Sequence, residues 1–234
     1  MFRSSIPATA RARIVERHSS GAQARVEYVL GKSVVGYRDF DSNGELELDC
    51  GLRTGRPHGT TYRLDSPGKL VSATPYRNGL EHGLARQWSE DGLLIGSYRM
   101  QNGTGVILWW EETCGKPRCP YLAEVRFLLK GRLHGYEWWL NEDQVSVHKE
   151  RYWSKGELHG IGREWNDKGV MRSSFPRFHV RGNRVTRQVY ERARATDASL
   201  PAFRPTDDRP ERVFPTVVAR RLVAPTKVES RRAR

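Results

Sequence analysis

The feature that most constrains the fold is a glycine–histidine motif that returns along the chain. Gly55–Gly59, Gly79–Gly83, Gly131–Gly135 and Gly156–Gly160 all read Gly-x-x-His-Gly, and a degenerate copy stands at Gly103–Gly105. The last glycines of successive motifs are 24, 22, 30 and 25 residues apart. A period of this size is typical of repeat architectures, in which a recurring residue is explained first by folding.

The segments between the motifs predict β-hairpins. After Gly83, a run of five residues leads to the polar turn 89–92, and a second apolar run follows. Gly68, Gly92 and Gly169 each stand nine residues after the last glycine of a motif, so the register repeats. Glycine supplies the positive φ that tight hairpin turns require. We therefore predict an all-β fold, a meander of antiparallel β-hairpin repeats with few helices, because a lone hairpin is marginal and needs paired neighbours.

Composition divides the chain into three parts. Residues 1–25 carry five arginines and one glutamate, which predicts a flexible basic segment. Residues 26–192 contain all seven tryptophans and predict a hairpin-repeat domain of about six units. Residues 193–234 contain five prolines, ten basic and five acidic side chains and no tryptophan, which predicts a disordered tail. The two ends thus hold +4 and +5 of the net charge of +13.

The length of the apolar runs and the number of cysteines indicate the cellular compartment in which the protein is expected. No run approaches the roughly 20 apolar residues of a membrane-spanning helix. The first 20 residues lack a secretory signal and only faintly resemble a transit peptide. Three cysteines, an odd number, favour free thiols in a reducing compartment, and we expect a cytoplasmic protein. Cys114 and Cys119 could alternatively form a loop disulfide or half of a metal site.

The longest step between motifs indicates an insertion. The 30 residues between Gly105 and Gly135 exceed the other steps by roughly six, and the surplus lies near residues 111–121. Insertions in repeats map to loops and often to a binding face. We therefore expect this loop to be one candidate for partner contact.

Four units carry a family resemblance, and two of them illustrate it. Tyr76–Gly83 reads YRNGLEHG and Tyr152–Gly160 reads YWSKGELHG. These residues resemble MORN repeats and, more closely, the variant form of bacterial YwqK-family antitoxins, over about residues 31–190. The resemblance implies a meandering antiparallel sheet and an interaction role without catalysis. Partners across the wider repeat class include proteins and acidic lipids.

The four motif histidines, which share one repeat position, suggest a metal-binding site, but the distance between neighbouring repeats is too large for one. They are His58, His82, His134 and His159. Neighbouring hairpins add two strands, so equivalent residues lie about 9.6 Å apart. Two ligands of one zinc ion need ring nitrogens about 3–4 Å apart. We expect no metal site, and predict that each imidazole bonds the backbone of an adjacent turn beside the motif glycines Gly59, Gly83, Gly135 and Gly160.

Two adjacent tryptophan pairs point to a surface. Neighbours on a strand face opposite sides, so one member of each pair can be buried and the other not. Either both faces are partly covered, or an exposed aromatic stripe binds a partner, since Trp, Tyr and Arg dominate interface energies. The candidate partner-binding residues are Trp109, Trp110, Tyr136, Trp138, Trp139 and Arg151.

The chain shows no phosphate loop, Gly-x-Ser-x-Gly elbow or His-Glu-x-x-His motif. No catalytic residue and no cofactor is therefore predicted. The expected function is a non-catalytic, repeat-type interaction protein that binds a protein partner, antitoxin- or immunity-like. The alternative is polyanion binding, to nucleic acid or an acidic membrane surface, through the Arg-rich ends. The oligomeric state stays open.

Overall fold

A computed structural model describes residues 2–65, 68–113 and 118–222. Eighteen strands pair in chain order as an antiparallel meander, which confirms the predicted all-β hairpin fold. The chain divides into two compact units. Unit 1 comprises Met1–Leu108 and Phe127–Leu133, and unit 2 comprises Trp109–Arg126 and His134–Arg234.

The strands of unit 1 are β1 Arg11–Arg17, β2 Gln23–Leu30, β3 Ser33–Phe40, β4 Leu46–Arg53, β5 Arg56–Pro57, β6 Gly59–Asp65, β7 Lys69–Arg77, β8 Leu80–Glu81, β9 Gly83–Trp88 and β10 Leu94–Gln101. Strands β11 Thr104–Glu112, β12 Pro120–Leu129 and β13 Arg132–Leu140 have residues in both units. Unit 2 adds β14 Val147–Ser154, β15 Glu157–Leu158, β16 Ile161–Glu164, β17 Arg177–Val180, β18 Asn183–Val185, helix α1 Arg187–Arg194, the 3-10 turn Pro205–Asp208 and helix α2 Thr216–Ala219.

Two kinds of turn alternate along the meander. The first kind has two successive residues at positive φ, as at Asn78 (51°) and Gly79 (86°). This geometry is that of a type I′ turn, whose twist matches the flanking strands and which favours Asn-Gly. The other turns of this kind are Thr54–Gly55, Asn102–Gly103, Lys130–Gly131, Lys155–Gly156 and Arg181–Gly182.

The second kind is the longer polar turn predicted from the glycine register. Gly68, Gly92 and Gly169 have φ of 75°, 78° and 71°, which confirms their predicted left-handed conformation. In the turn after β9, the Gly92 N–H donates to the Ser89 carbonyl at 2.9 Å. The glycines are therefore required by backbone conformation at these turns.

The N-terminal end corrects the prediction of a flexible segment over residues 1–25. β1 pairs with β2, and Phe2–Ile6, here called the N-terminal segment, pack on the sheet of unit 1. Ile6 is 9% exposed and occupies the space above Gly36, where a Cβ would lie 2.5 Å from Ile6 Cγ1. A glycine in a strand interior thus admits a close approach that the composition of the first 25 residues does not reveal.

The C-terminal end corrects the prediction of a disordered tail over residues 193–234. Helix α1 leads into residues 197–218, here called the C-terminal segment, in which Leu200, Phe214 and Val218 are buried. Leu200 joins a core of unit 2 with Ile161, Phe178 and Tyr190. Few apolar residues are present in this segment, but Leu200 and Phe214 pack against side chains of the sheet rather than in a core of their own. Residues 223–234 lie outside the described part of the chain.

Candidate functional site

Each unit has a buried carboxylate at the same position of the repeat. Asp49 precedes His58 by nine residues, and Glu150 precedes His159 by nine residues. Asp49 is fully buried and Glu150 is 3% exposed. A buried carboxylate is tolerated only when it is paired and hydrogen-bonded. Both carboxylates find part of that pairing in a segment from one end of the chain.

In unit 1, Asp49 binds the N-terminal segment. Arg38, opposite it on β3, donates from Nε to Asp49 Oδ2 at 2.8 Å. The Ser4 hydroxyl lies 2.7 Å from Oδ1 and 2.9 Å from Oδ2 of Asp49. The next residue, Ser5, accepts a hydrogen bond from the Thr60 amide at 2.8 Å. Two successive serines therefore fix the segment across the sheet.

In unit 2, Glu150 binds the C-terminal segment. Trp138 and Arg163 stand opposite Glu150 on its two neighbouring strands. Trp138 Nε1 donates to Glu150 Oε2 at 2.8 Å, and an Arg163 nitrogen donates to Oε1 at 2.9 Å. Arg212 reaches Oε2 from the C-terminal segment at 2.7 Å. One carboxylate thus accepts three hydrogen bonds, two of them from arginines.

Further contacts hold the C-terminal segment against this face. Asp208 accepts from Arg163 Nε at 3.0 Å through its side chain and from Trp165 Nε1 at 2.8 Å through its carbonyl. The Phe214 ring meets Trp138 edge-on with centroids 5.4 Å apart. The segment therefore combines ion pairs with aromatic packing, and it covers the Trp138 side of the sheet.

One of the predicted partner-binding residues, Trp138, lies under this cover, and another, the half-buried Tyr136, packs beside it. Trp138 is 4% exposed, and Tyr136 stacks on it with ring centroids 4.9 Å apart. Burial, followed by the nearby charge of Glu150, raises the pKa of Tyr136 to about 12. The prediction of Trp138 as an exposed binding residue is corrected, because Phe214 of the C-terminal segment packs on its ring, whereas Tyr136 stays a prediction.

Two further predicted partner-binding residues, Trp139 and Arg151, lie on the opposite side of the same strands. Trp139 is half-buried, and two cations lie over its ring, Lys149 Nζ at 5.0 Å and Arg151 Cζ at 5.4 Å from the centroid. Trp153, also half-buried, stands on this side of β14. We call Trp139, Lys149, Arg151 and Trp153 the Trp139 surface. Cations over indole faces are attracted by the ring quadrupole.

A buried acid, Glu137, lies on the same side of β13 as Trp139 and binds Trp153 of the Trp139 surface. Glu137 is 4% exposed, accepts from Trp153 Nε1 at 2.8 Å and lies 3.4 Å from Arg126 Nε. Burial raises the pKa of Glu137, and the bond from Trp153 and the charge of Arg126 oppose that rise. The hydrogen bond fixes the Trp153 indole, so the surface is held in one arrangement.

The remaining tryptophan pair follows the predicted alternation. Trp110 is 4% exposed whereas its neighbour Trp109 is half-buried. Trp110 is therefore removed from the candidate surface residues, and Trp109 stays a candidate. Since Trp138 and Trp139 behave in the same way, one member of each pair is buried.

The motif histidines are placed at the turns. In three repeats the imidazole Nδ1 accepts a hydrogen bond from the backbone amide of the first residue of the next type I′ turn. The pairs are Asn78 with His58 (3.4 Å), Asn102 with His82 (3.2 Å) and Arg181 with His159 (3.0 Å). Each ring therefore satisfies one turn amide and links two successive hairpins.

The degenerate repeat keeps the contact with a different side chain. Thr104 occupies the position of the histidine, and its hydroxyl accepts from the Lys130 amide at 3.0 Å. In the third full motif, Gly131–Gly135, His134 Nδ1 is buried and has no hydrogen-bond partner among the described residues. Within the described ranges, no group of three His, Cys, Asp or Glu side chains could hold a metal ion.

One histidine has neighbours that resemble a catalytic triad. His159 Nε2 lies 3.0 Å from Ser199 Oγ and 3.3 Å from Asp197 Oδ2. However, Nδ1 accepts from the Arg181 amide, so the neutral ring carries its proton on Nε2. A general base for the serine needs a free lone pair on that nitrogen. The Ser199 hydroxyl instead donates to Asp197 Oδ1 at 2.6 Å. These contacts fix the loop after α1 against His159.

The cysteines and the insertion are only partly described. Cys50 is a buried free thiol, and the Thr61 hydroxyl lies 3.5 Å from its sulfur. Cys114 lies outside the described residues, so its relation to Cys119 stays a prediction. At the base of the predicted 111–121 loop, the Thr113 amide donates to the Cys119 carbonyl at 3.0 Å.

None of the helices among the described residues has the length and apolar character needed to cross a membrane. Comparison with known protein families, with curated proteins and with solved structures finds no match. The candidate site therefore rests on its own geometry.

Proposed function

We propose that the protein is a non-catalytic, repeat-type interaction protein that binds a protein partner through the Trp139 surface. The observation that carries this proposal is the half-buried Trp139 ring with the cations of Lys149 and Arg151 over it. Tryptophan and arginine are the side chains most enriched among residues that dominate interface energies. A rigid aromatic anchor also loses little conformational entropy on binding.

The packing of unit 2 supports the same surface. The C-terminal segment covers the Trp138 side through Arg212 and Phe214, whereas the Trp139 side stays half-buried. Glu137 holds Trp153 in place by a hydrogen bond, so little ordering is required when a partner binds. An antitoxin- or immunity-like role, suggested by the repeat resemblance, is the form of protein binding that we favour.

Co-purification from the native host tests the proposal. We expect the tagged protein to retain a partner, and the double variant Trp139→Ala/Arg151→Ala to reduce its capture at least tenfold. The matched control is Trp88→Ala/Arg86→Ala, which removes the same residue types from β9 of unit 1. Thermal melting identifies any variant that has lost its fold. Equal capture by both double variants contradicts the assignment of the surface.

Polyanion binding is the second candidate, and an observation limits where it can reside. Arg212 is occupied by Glu150, but Arg220 and Arg221 are exposed just before residues 223–234, which contain three further arginines. Deleting residues 223–234 should abolish binding to DNA or to acidic vesicles while leaving the C-terminal segment in place. Affinity should also fall steeply with salt, because neutralised phosphates release counterions. Unchanged, salt-insensitive binding after the deletion removes this candidate.

A further inference from the structure

Strand β1 is an exposed strand at the start of the meander. All seven of its residues, Arg11–Arg17, are exposed, and within the described part of the chain it pairs with β2 alone. Such an edge presents unpaired N–H and C=O groups that can template a further strand. No other strand of more than three residues is exposed along its entire length among the described elements.

The register identifies which backbone groups face outward. Gly31 and Lys32 form the two-residue turn between β2 and β3, so the flanking Leu30 and Ser33 are the hydrogen-bonded closing pair. Backbone groups alternate in direction along an antiparallel strand. Val29 of β2 therefore forms its backbone hydrogen bonds with Arg11 of β1. The next residue of β1, Ala12, directs its N–H and C=O to the open edge.

The side chains of β1 restrict what can add there. Ile14 and Val15 are 44% and 45% exposed, and a register shift between Ile14 and Glu16 leaves Val15 without a partner on β2, so both β-branched side chains are accessible at this edge. Arg11, Arg13 and Arg17 outnumber Glu16, which gives the strand a formal charge of 3 − 1 = +2, and Arg13 is paired with Glu27 of β2 at 2.6 Å, so Arg11 and Arg17 carry the charge available to a partner. Cross-strand pairs of opposite charge and of β-branched residues stabilise a sheet, and like charges opposite one another destabilise it.

We propose that β1 is a docking edge to which an extended, acidic, β-branched segment of a partner protein adds as a new strand. In this mode main-chain hydrogen bonds supply affinity and alternate side chains supply specificity. A second copy of this chain is disfavoured as the occupant, because it would bring two strands of charge +2 together on chains of net charge +13. This edge belongs to unit 1 and does not depend on the Trp139 surface of unit 2.

Binding of a defined peptide tests the proposal. The probe is the fluorescein-labelled, amidated peptide Thr-Glu-Val-Glu-Val-Glu-Val-Thr, measured by anisotropy at low salt, and its counterpart with lysine for glutamate is the charge control. We expect binding of the acidic peptide only, with the amide resonances of Ala12 and Ile14 among those that shift. The variant Ala12→Pro removes an outward N–H, which edge strands tolerate, and should weaken binding at least tenfold.

Matched variants separate the outcomes. Ala12→Thr keeps the N–H and should bind as the wild type does, and Trp139→Ala/Arg151→Ala should also bind normally. If Ala12→Pro melts early, Arg11→Glu/Arg17→Glu replaces it and should reverse the preference toward the lysine peptide. The proposal is overturned by binding that Ala12→Pro leaves intact, by equal binding of both peptides, or by a dimer in light scattering that Ala12→Pro dissociates.

Discussion

The two units fasten opposite ends of the chain to equivalent carboxylates, but with different chemistry. In unit 1, fully buried Asp49 takes hydroxyl contacts from Ser4 and one arginine, Arg38, whose side chain is 30% exposed. In unit 2, Glu150 is bound by Arg163 and Arg212, whose side chains are 3% and 11% exposed. The N-terminal segment is therefore held by a neutral serine beside a partly exposed arginine, whereas the C-terminal segment is held by a nearly buried, charged arginine. The second contact should be harder to break.

The largest difference is expected when the carboxylates are removed. Glu150→Ala removes the acid that binds Arg212 and one of the two acids that bind the buried Arg163, so that only Asp208 is left, and breaking a buried pair in this way costs about 3–5 kcal/mol. Asp49→Ala should cost less, because Arg38 can reach water. Chemical denaturation followed by tryptophan fluorescence measures unit 2, which holds six of the seven tryptophans. Exchange of unit 1 amides measures the other unit, and equal losses in both units contradict the contrast.

Releasing the C-terminal segment alone should have a smaller effect. Arg212→Met removes the bond to Glu150 but leaves Arg163 and Trp138 in place, and a hydrogen bond to a charged group contributes about 1.5–3 kcal/mol. We expect faster proteolysis within residues 197–222 while the sheet stays intact. Arg209→Met, a nearby exposed arginine, is the matched control. No change in the cleavage rate with Arg212→Met means that this contact does not hold the segment.

Releasing the N-terminal segment should be easier still. Ser4→Ala removes two contacts to Asp49 but keeps the Arg38 pair, and we expect a loss of about 1 kcal/mol. Ser4→Thr keeps the hydroxyl and serves as the control. Thermal melting gives the magnitude, and a loss larger than that of Arg212→Met reverses the proposed order of the two anchors.

Alkaline pH should affect the two units alike and weakly. Burial raises the pKa of Tyr76 in unit 1 to about 12, with Glu81 contributing, and that of Tyr136 in unit 2 to about 12. A raised pKa means that the folded state keeps a proton which the unfolded state loses. The stability is therefore complete below pH 10 and falls as the pH rises toward 12, by about 1.4 kcal/mol per tyrosine at pH 11. Absorbance of tyrosinate at 295 nm that appears fully by pH 10.5 contradicts this burial.

The repeated features of the fold were predictable because each is a local backbone requirement. Gly92 marks a turn that needs a positive φ, and Asn78 with Gly79 marks a type I′ turn. The alternation of Trp138 and Trp139 follows from strand geometry alone. The histidine position shows the limit of such rules, because Thr104 makes the same turn contact without the motif residue.

The anchored ends were not predictable in the same way. Arg212 and Glu150 are 62 residues apart, and nothing in a Pro- and Arg-rich composition shows that one arginine will be buried. A signal was present on the other side, since Asp49 and Glu150 share one repeat position, nine residues before a histidine. A buried acid on a repeat strand requires hydrogen-bond partners, and residues outside the hairpin repeats, Ser4 and Arg212, supply part of them.

Hydrogen exchange of the intact chain tests the central claim most directly, that both ends are anchored on equivalent carboxylates. The informative amides are Thr60, which donates to Ser5 Oγ, and Arg212, which donates to the Val145 carbonyl. Both should exchange at least tenfold more slowly than in unstructured peptides, with Ser4→Ala accelerating only the first and Arg212→Met only the second. Exchange of Arg212 at the rate of an unstructured peptide in the wild type, or acceleration of both amides by either variant, contradicts the account.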